Sequence, residues 1–212
     1  NEIPTSNVIK DEFGWEIPVE VVPLPSRGIV YNPDTTLYNR ETLQIKAMTA
    51  KEEDILSSRA YMKDGSAIEK LIESCVTDKS FDVDDLISGD KNALMVAIRI
   101  TGYGSEYNVE HVCKGCAARQ PVKVDLGALP LKRLSQDPVE SGKNIFAFEL
   151  PVTKKVVTYK FLNGHDDREE EIKQKRLANL NMTTDNTVTN FLERIILSVD
   201  GVTDKNKIKH FI

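Results

Sequence analysis

The chain alternates between two kinds of apolar rhythm. Near the start, Val19, Val21 and Val22 form a β-branched run, and Leu43, Ile45 and Ala47 alternate with Gln44 and Lys46. Period-two alternation marks a half-buried strand. Between them stand Pro23, Pro25 and Gly28, then Ile29-Val30-Tyr31 and the turn Asn32-Pro33-Asp34. Prolines and a glycine between β-rich runs predict turns of fixed geometry. The first fifth is therefore expected to be a small antiparallel sheet. Residues 1–18 precede it as a polar arm, at most an edge strand. Trp15, the one tryptophan, lies there beside Phe13 and Ile17. It either anchors the arm in a partner's groove or packs on its own domain.

The rhythm then changes to that of helices. Thr49 and Glu52 make a capping box, which predicts a helix running to about Met62 and stopped at Asp64-Gly65. Ser66 and Glu69 repeat the signature, and Ile68, Leu71, Ile72 and Cys75 recur on one helical face. Cys75 on that face reads as a small buried hydrophobe. Asp82, Asp84 and Asp85 lack the spacing, glycine and closing glutamate of a calcium loop, and a helix start accounts for them. Ser88 is expected to cap a helix from Asp90 to about Thr101, with Leu94, Met95, Ala97 and Ile98 as its core. Gly102-Tyr103-Gly104 stops it.

Further on, residues 145–150 and 155–162 read as two strands of a hairpin. A charged helix over 166–179 follows, with acids early and Lys175 and Arg176 late. Val188, Phe191, Leu192, Ile195, Ile196 and Val199 then form the clearest helical stripe, ended by Asp200-Gly201. Thr203-Asp204 starts one more short helix. The fold class is α+β: a small N-terminal antiparallel sheet, a helical subdomain with a Cys-x-x-Cys β-knuckle, and a C-terminal β-hairpin plus helices. Turn-rich residues 135–144 divide it, giving an arm at 1–18, a first part at 19–134 and a second at 145–212.

Composition narrows the function classes. With 212 residues there is chain enough for a real core, and a net charge of −5 without a basic block argues against a general nucleic-acid binder. No apolar run approaches the roughly 18–20 residues that cross a bilayer. The start has no basic n-region and no apolar h-region, so it does not read as a signal peptide. Three cysteines, an odd count, then point to a reducing compartment. The lack of an initiator Met and the apolar Phe211-Ile212 end lead us to expect a chain cut from a longer one.

Candidate chemistry concentrates at Cys113-Lys114-Gly115-Cys116, between two β-like runs. Structural zinc wants four ligands, usually as two pairs. Cys113 and Cys116 supply one pair, and no second pair follows. His111 is awkwardly close, while Cys75, His165 and His210 are distant. The pair therefore reads as a structural turn with two thiols, or as a zinc half-site completed elsewhere. A dithiol redox site wants a strand, then a helix start, in a βαβ frame that is missing here. No nucleophile elbow or paired histidine motif appears. No catalytic residue and no cofactor other than zinc is expected. The residues alone leave open a small zinc-ribbon or thiol-dependent protein with a catalytic or nucleic-acid-binding role.

Several blocks, in order, carry more. They are Val21-Val22-Pro23-Leu24-Pro25-Ser26-Arg27-Gly28-Ile29-Val30-Tyr31, Met48 to Leu56, Gly89-Asp90-Lys91-Asn92-Ala93-Leu94-Met95, Arg99-Ile100-Thr101-Gly102-Tyr103-Gly104 and the cysteine pair. Together they resemble the T4-type phage baseplate hub and hub-assembly family, the gene twenty-six product and its relatives, over roughly residues 19–212. The resemblance implies a non-enzymatic, late protein of a contractile-tail virus, either a resident of the central hub or an assembly chaperone. It implies other hub and tail proteins as partners, an oligomeric setting within the baseplate, and assembly in the host cytoplasm. It implies no small-molecule substrate, nucleic acid or membrane. In longer relatives it further implies a second cysteine pair and a four-cysteine zinc site, a pattern from which this chain departs.

Overall fold

The computed structural model describes residues 7–10, 14–179 and 186–212. Phe13 of the arm lies outside them. The chain divides into two compact units, each discontinuous in sequence. The first is Asn1–Pro25, Thr42–Lys79 and Lys91–Lys132; the second is Ser26–Glu41, Ser80–Asp90 and Arg133–Ile212.

The first unit opens with the expected sheet. Strands β1 (Asn7–Lys10), β2 (Glu16–Pro23) and β3 (Thr42–Lys46) are antiparallel in that order. Leu43 and Ile45 are fully buried while Gln44 and Lys46, which alternate with them, are not, as period two requires. Helices α1 (Ala50–Ser57), α2 (Arg59–Asp64) and α3 (Ala67–Cys75) follow. The single helix expected to reach Met62 is broken at Ser58, whose backbone is extended (φ −67°, ψ 113°). Its hydroxyl accepts the Tyr61 N–H at 3.5 Å, so the second helix has its own cap. Serine hydroxyls compete with the helix ladder in this way. Gly65 ends α2 in the left-handed region at φ 80°. The second predicted capping box does not form. The Ser66 hydroxyl donates to Asp64 at 2.6 Å, and Glu69 takes the Lys91 ammonium at 3.1 Å. Helix α3 buries Leu71, Ile72 and Cys75 as its spacing predicts. Its end is tied to the sheet by the Ile45–Val76 bridge and by Thr77 N–H to the Gln44 carbonyl at 3.0 Å.

Helix α4 (Ser88–Tyr103) begins two residues before the expected start. Ser88 lies inside it and is no cap; its hydroxyl donates to the Leu162 carbonyl at 3.1 Å. Leu94, Ala97 and Ile98 are buried, Met95 is half-buried, and Gly104 at φ 82° stops the helix. Strands β4 (Glu106–Val112) and β5 (Arg119–Asp125) then form a separate two-stranded antiparallel ribbon.

The second unit holds β6 (Phe146–Glu149), β7 (Val156–Tyr159) and β8 (Ile196–Val199) as an antiparallel sheet in that order. Helices α5 (Gly164–Asn179), α6 (Thr187–Ile195) and α7 (Lys205–Phe211) accompany it. The helical stripe expected to reach Val199 ends at Ile195. Residues 196–199 instead pair with β7, with Thr158 opposite Ser198 and their hydroxyls 2.6 Å apart. Ile196 and Val199 are β-branched, and pairing buries both in a cluster with Val157 and Ile208. Asp204 caps α7, accepting the Asn206 and Lys207 N–H groups at 2.9 and 3.1 Å.

Two further expectations change here. Ile29-Val30-Tyr31 is a turn, not a strand. Gly28 at φ 73° sets it, and a Cβ there would stand 2.3 Å from the Arg40 nitrogen. The acidic run is a 3-10 turn (Val83–Asp85) capped by Asp82, but the helix dipole does not account for all of it. Asp84 is buried, and its carboxylate meets the Arg168 guanidinium at 2.5 Å. Gly164 makes room for that pair, since a Cβ would lie 2.5 Å from the Asp84 oxygen.

Candidate functional site

The cysteine pair sits where β4 turns into β5. Seven residue pairs align, from Glu106–Asp125 at the base to Val112–Arg119 at the tip. The turn closes through Cys113 N–H to the Ala118 carbonyl and Ala117 N–H to the Cys113 carbonyl, both 2.9 Å. Ala117 takes φ 57° to complete it. Cys113 is half-buried, Cys116 is exposed, and both are free thiols. The backbone N–H groups of Cys116 and Gly115, and the Cys116 side chain, hold the Cys113 thiol below its ordinary pKa. The turn thus favours a thiolate at Cys113. Among the described residues no three His, Cys, Asp or Glu side chains converge as a metal site. His165 instead meets Asp85 at 3.1 Å, and His111 stands opposite Gln120 in the ribbon. The two thiols fit two of the four ligands of a structural zinc site.

The ribbon has two unlike faces, because cross-strand partners share a side. One face carries Val109 with Val122 and Tyr107 with Val124; the other carries the Glu110–Arg119 and Glu106–Lys123 ion pairs at 3.2 and 2.9 Å. Tyr107, Val112 and Val122 are all exposed. The Arg99 guanidinium lies over the Tyr103 and Tyr107 rings at 4.8 and 5.6 Å from their centres.

Besides Asp84, two buried carboxylates, one in each unit, could be mistaken for machinery. In the first, Glu52 accepts from Thr49 N–H (2.8 Å), Ser74 hydroxyl (2.6 Å) and Lys46 ammonium (3.1 Å), and from the Thr49 hydroxyl. Burial pushes its pKa up, but these donors outweigh it and leave the group at about 2. In the second, Asp90 accepts from the Ser26 N–H (2.9 Å) and hydroxyl (2.5 Å) and from the Tyr31 hydroxyl (2.5 Å). Burial dominates here and raises Asp90, and burial beside Asp90 raises the Tyr31 phenol. Tyr31 also accepts the Ile87 N–H at 3.2 Å. Ser26, Tyr31 and Asp90 belong to two sequence blocks already singled out, and the spacing within either block gives no sign that they meet. Both carboxylates are fully buried and their acceptors are filled from within the fold.

Exposed apolar surface is the other feature. Trp15 keeps 75% of its surface open. The second unit carries a groove of about 470 Å³ walled by Leu150, Tyr159, Leu192, Ile195, Phe211 and Ile212. Val188 and Phe191 of α6 are exposed as well. No described helix is long and apolar enough to cross a membrane.

A sequence model of the family described as T4 bacteriophage base plate protein matches residues 29–209. No match was found among curated proteins or among solved structures.

Proposed function

This chain belongs to the T4 bacteriophage base plate protein family, and on that premise we propose that it builds the central hub of the tail baseplate by protein–protein binding, without catalysis. The family match across residues 29–209 carries the reading. The geometry supports it: the Glu52 and Asp90 carboxylates are saturated by their own folds, while apolar side chains stand open on the ribbon, on α6 and in the second unit's groove. Such surfaces mark partner contacts. The partners are other hub and tail proteins of a contractile tail, met in the host cytoplasm. A resident subunit keeps a large obligate interface, whereas an assembly chaperone binds exposed apolar surface and leaves. Native mass spectrometry of purified virions and of tail-assembly intermediates tests this. The protein in complex with hub proteins is the expected result; its absence from both refutes the reading.

The Cys113/Cys116 turn belongs to the same proposal as a zinc half-site whose remaining ligands come from outside the described residues. The Cys113→Ser/Cys116→Ser variant is expected to lose zinc from the assembled complex. Retained zinc, or unchanged folding and tail assembly with no zinc in either protein, removes the half-site and leaves a structural turn.

A further inference from the structure

The first unit holds a pocket of about 590 Å³ between the N-terminal sheet and helices α1–α3. Four lysines line it: Lys46, Lys51, Lys70 and Lys79. Their concentration stands against the chain's net charge of −5. Among the described lining residues Glu73 is the one carboxylate, and it meets the Lys70 ammonium at 2.8 Å. Lys46 is met by Glu52 at 3.1 Å. Glu73 also attracts the Lys79 ammonium, so this one lining carboxylate stands against Lys51, Lys70 and Lys79. The Lys79 ammonium donates to the Glu73 carbonyl, a neutral acceptor. Burial, followed by repulsion from Lys46, lowers the Lys79 pKa against the attraction of Glu73, and Lys51 adds a smaller repulsion. Like charges crowded in a concave site raise the local concentration of anions. The walls between them are apolar, formed by Ile9, Ile55 and Tyr61, with the buried Val76 behind them.

We propose that this pocket binds an acidic peptide segment of a partner protein, one that places aliphatic side chains on Ile9, Ile55 and Tyr61 and carboxylates on Lys51 and Lys79. The inference rests on the reading that the chain works by binding proteins, and it adds the chemistry of one partner. A small inorganic anion would satisfy the lysines but leave the apolar walls wet. Charge complementarity and apolar burial together fit a mixed Leu/Glu segment.

The test uses the full chain and a fluorescein-labelled peptide of alternating Leu and Glu, read by fluorescence anisotropy. Saturable binding is expected, weakening about tenfold or more in the Lys51→Glu/Lys79→Glu variant and as salt is raised. A peptide with Lys in place of Glu is expected not to bind. If the double variant does not fold by circular dichroism, Lys51→Gln and Lys79→Gln, tested singly, are each expected to weaken binding severalfold. No saturable binding by the unaltered chain overturns the proposal. So does equal binding by the folded variants, or displacement of the peptide by polyphosphate or single-stranded DNA at lower concentration than by unlabelled peptide. If peptide binding fails while the chain still assembles with hub proteins, the pocket inference falls and the baseplate reading stands.

Discussion

Glu52 in the first unit and Asp90 in the second are both fully buried carboxylates, yet their acidities move in opposite directions. Each accepts a backbone N–H and two hydroxyls. At Glu52 the donors, the Ser74 and Thr49 hydroxyls first and the Lys46 ammonium last, outweigh burial, whereas at Asp90 burial outweighs the donors. Burial penalises a charge and hydrogen-bond donors favour it, so the balance between the two sets the direction at each site. A displaced pKa is therefore poor evidence of catalysis in this protein. At Glu52 it reports a capped helix anchored to a strand; at Asp90 it reports a turn fastened to a helix start. In both, the oxygens are spent on the fold, while the open surfaces lie elsewhere.

The strongest way to break the comparison is Glu52→Ala, which leaves Lys46 and three further donors without their acceptor. Urea unfolding is expected to show a loss of about 4 kcal/mol. The intact protein should show the same site through pH. Because Glu52 is more acidic folded than unfolded, its contribution is present above about pH 4.5, its ordinary value, and lost as pH falls to about 2. That contribution is on the order of 3 kcal/mol, and Glu52→Gln should flatten this part of the acid-stability curve.

Asp90→Asn sharpens the contrast. Asparagine keeps an acceptor and removes the buried charge, so a smaller loss of about 2 kcal/mol is expected. The pH effect has the opposite sign. Asp90 holds its proton more readily folded than unfolded, so its contribution is full below the ordinary carboxylate range and declines as pH rises through the folded value. The Asn variant should lose that decline in unfolding measured across pH. The smallest effect is expected from Tyr31→Phe. It removes one donor from Asp90 and the acceptor of Ile87 N–H, at a cost of about 1 kcal/mol by thermal or urea unfolding.

Local order in the chain determined much of this architecture. Period-two alternation placed β3, Thr49 and Glu52 placed the start of α1, Gly65 and Gly104 placed helix ends, and the i, i+3, i+4 spacing placed Cys75 in the core. Each depends on residues a few positions apart, which is the range over which backbone geometry and capping act. The cysteine turn was likewise visible as a short motif between two β-like runs. Tertiary structure decided what depends on distant partners. Residues 196–199 carry a helical stripe, yet they lie as a strand because β7 offers an edge that buries Ile196 and Val199. Asp84 reads as one of three helix-start acids until Arg168, far along the chain, meets it. Ser26, Tyr31 and Asp90 converge across about sixty residues, and the lysine pocket draws on β3, α1, α3 and the segment after α3. Hydrogen bonds and charges act through space, so only the folded chain could bring these groups together.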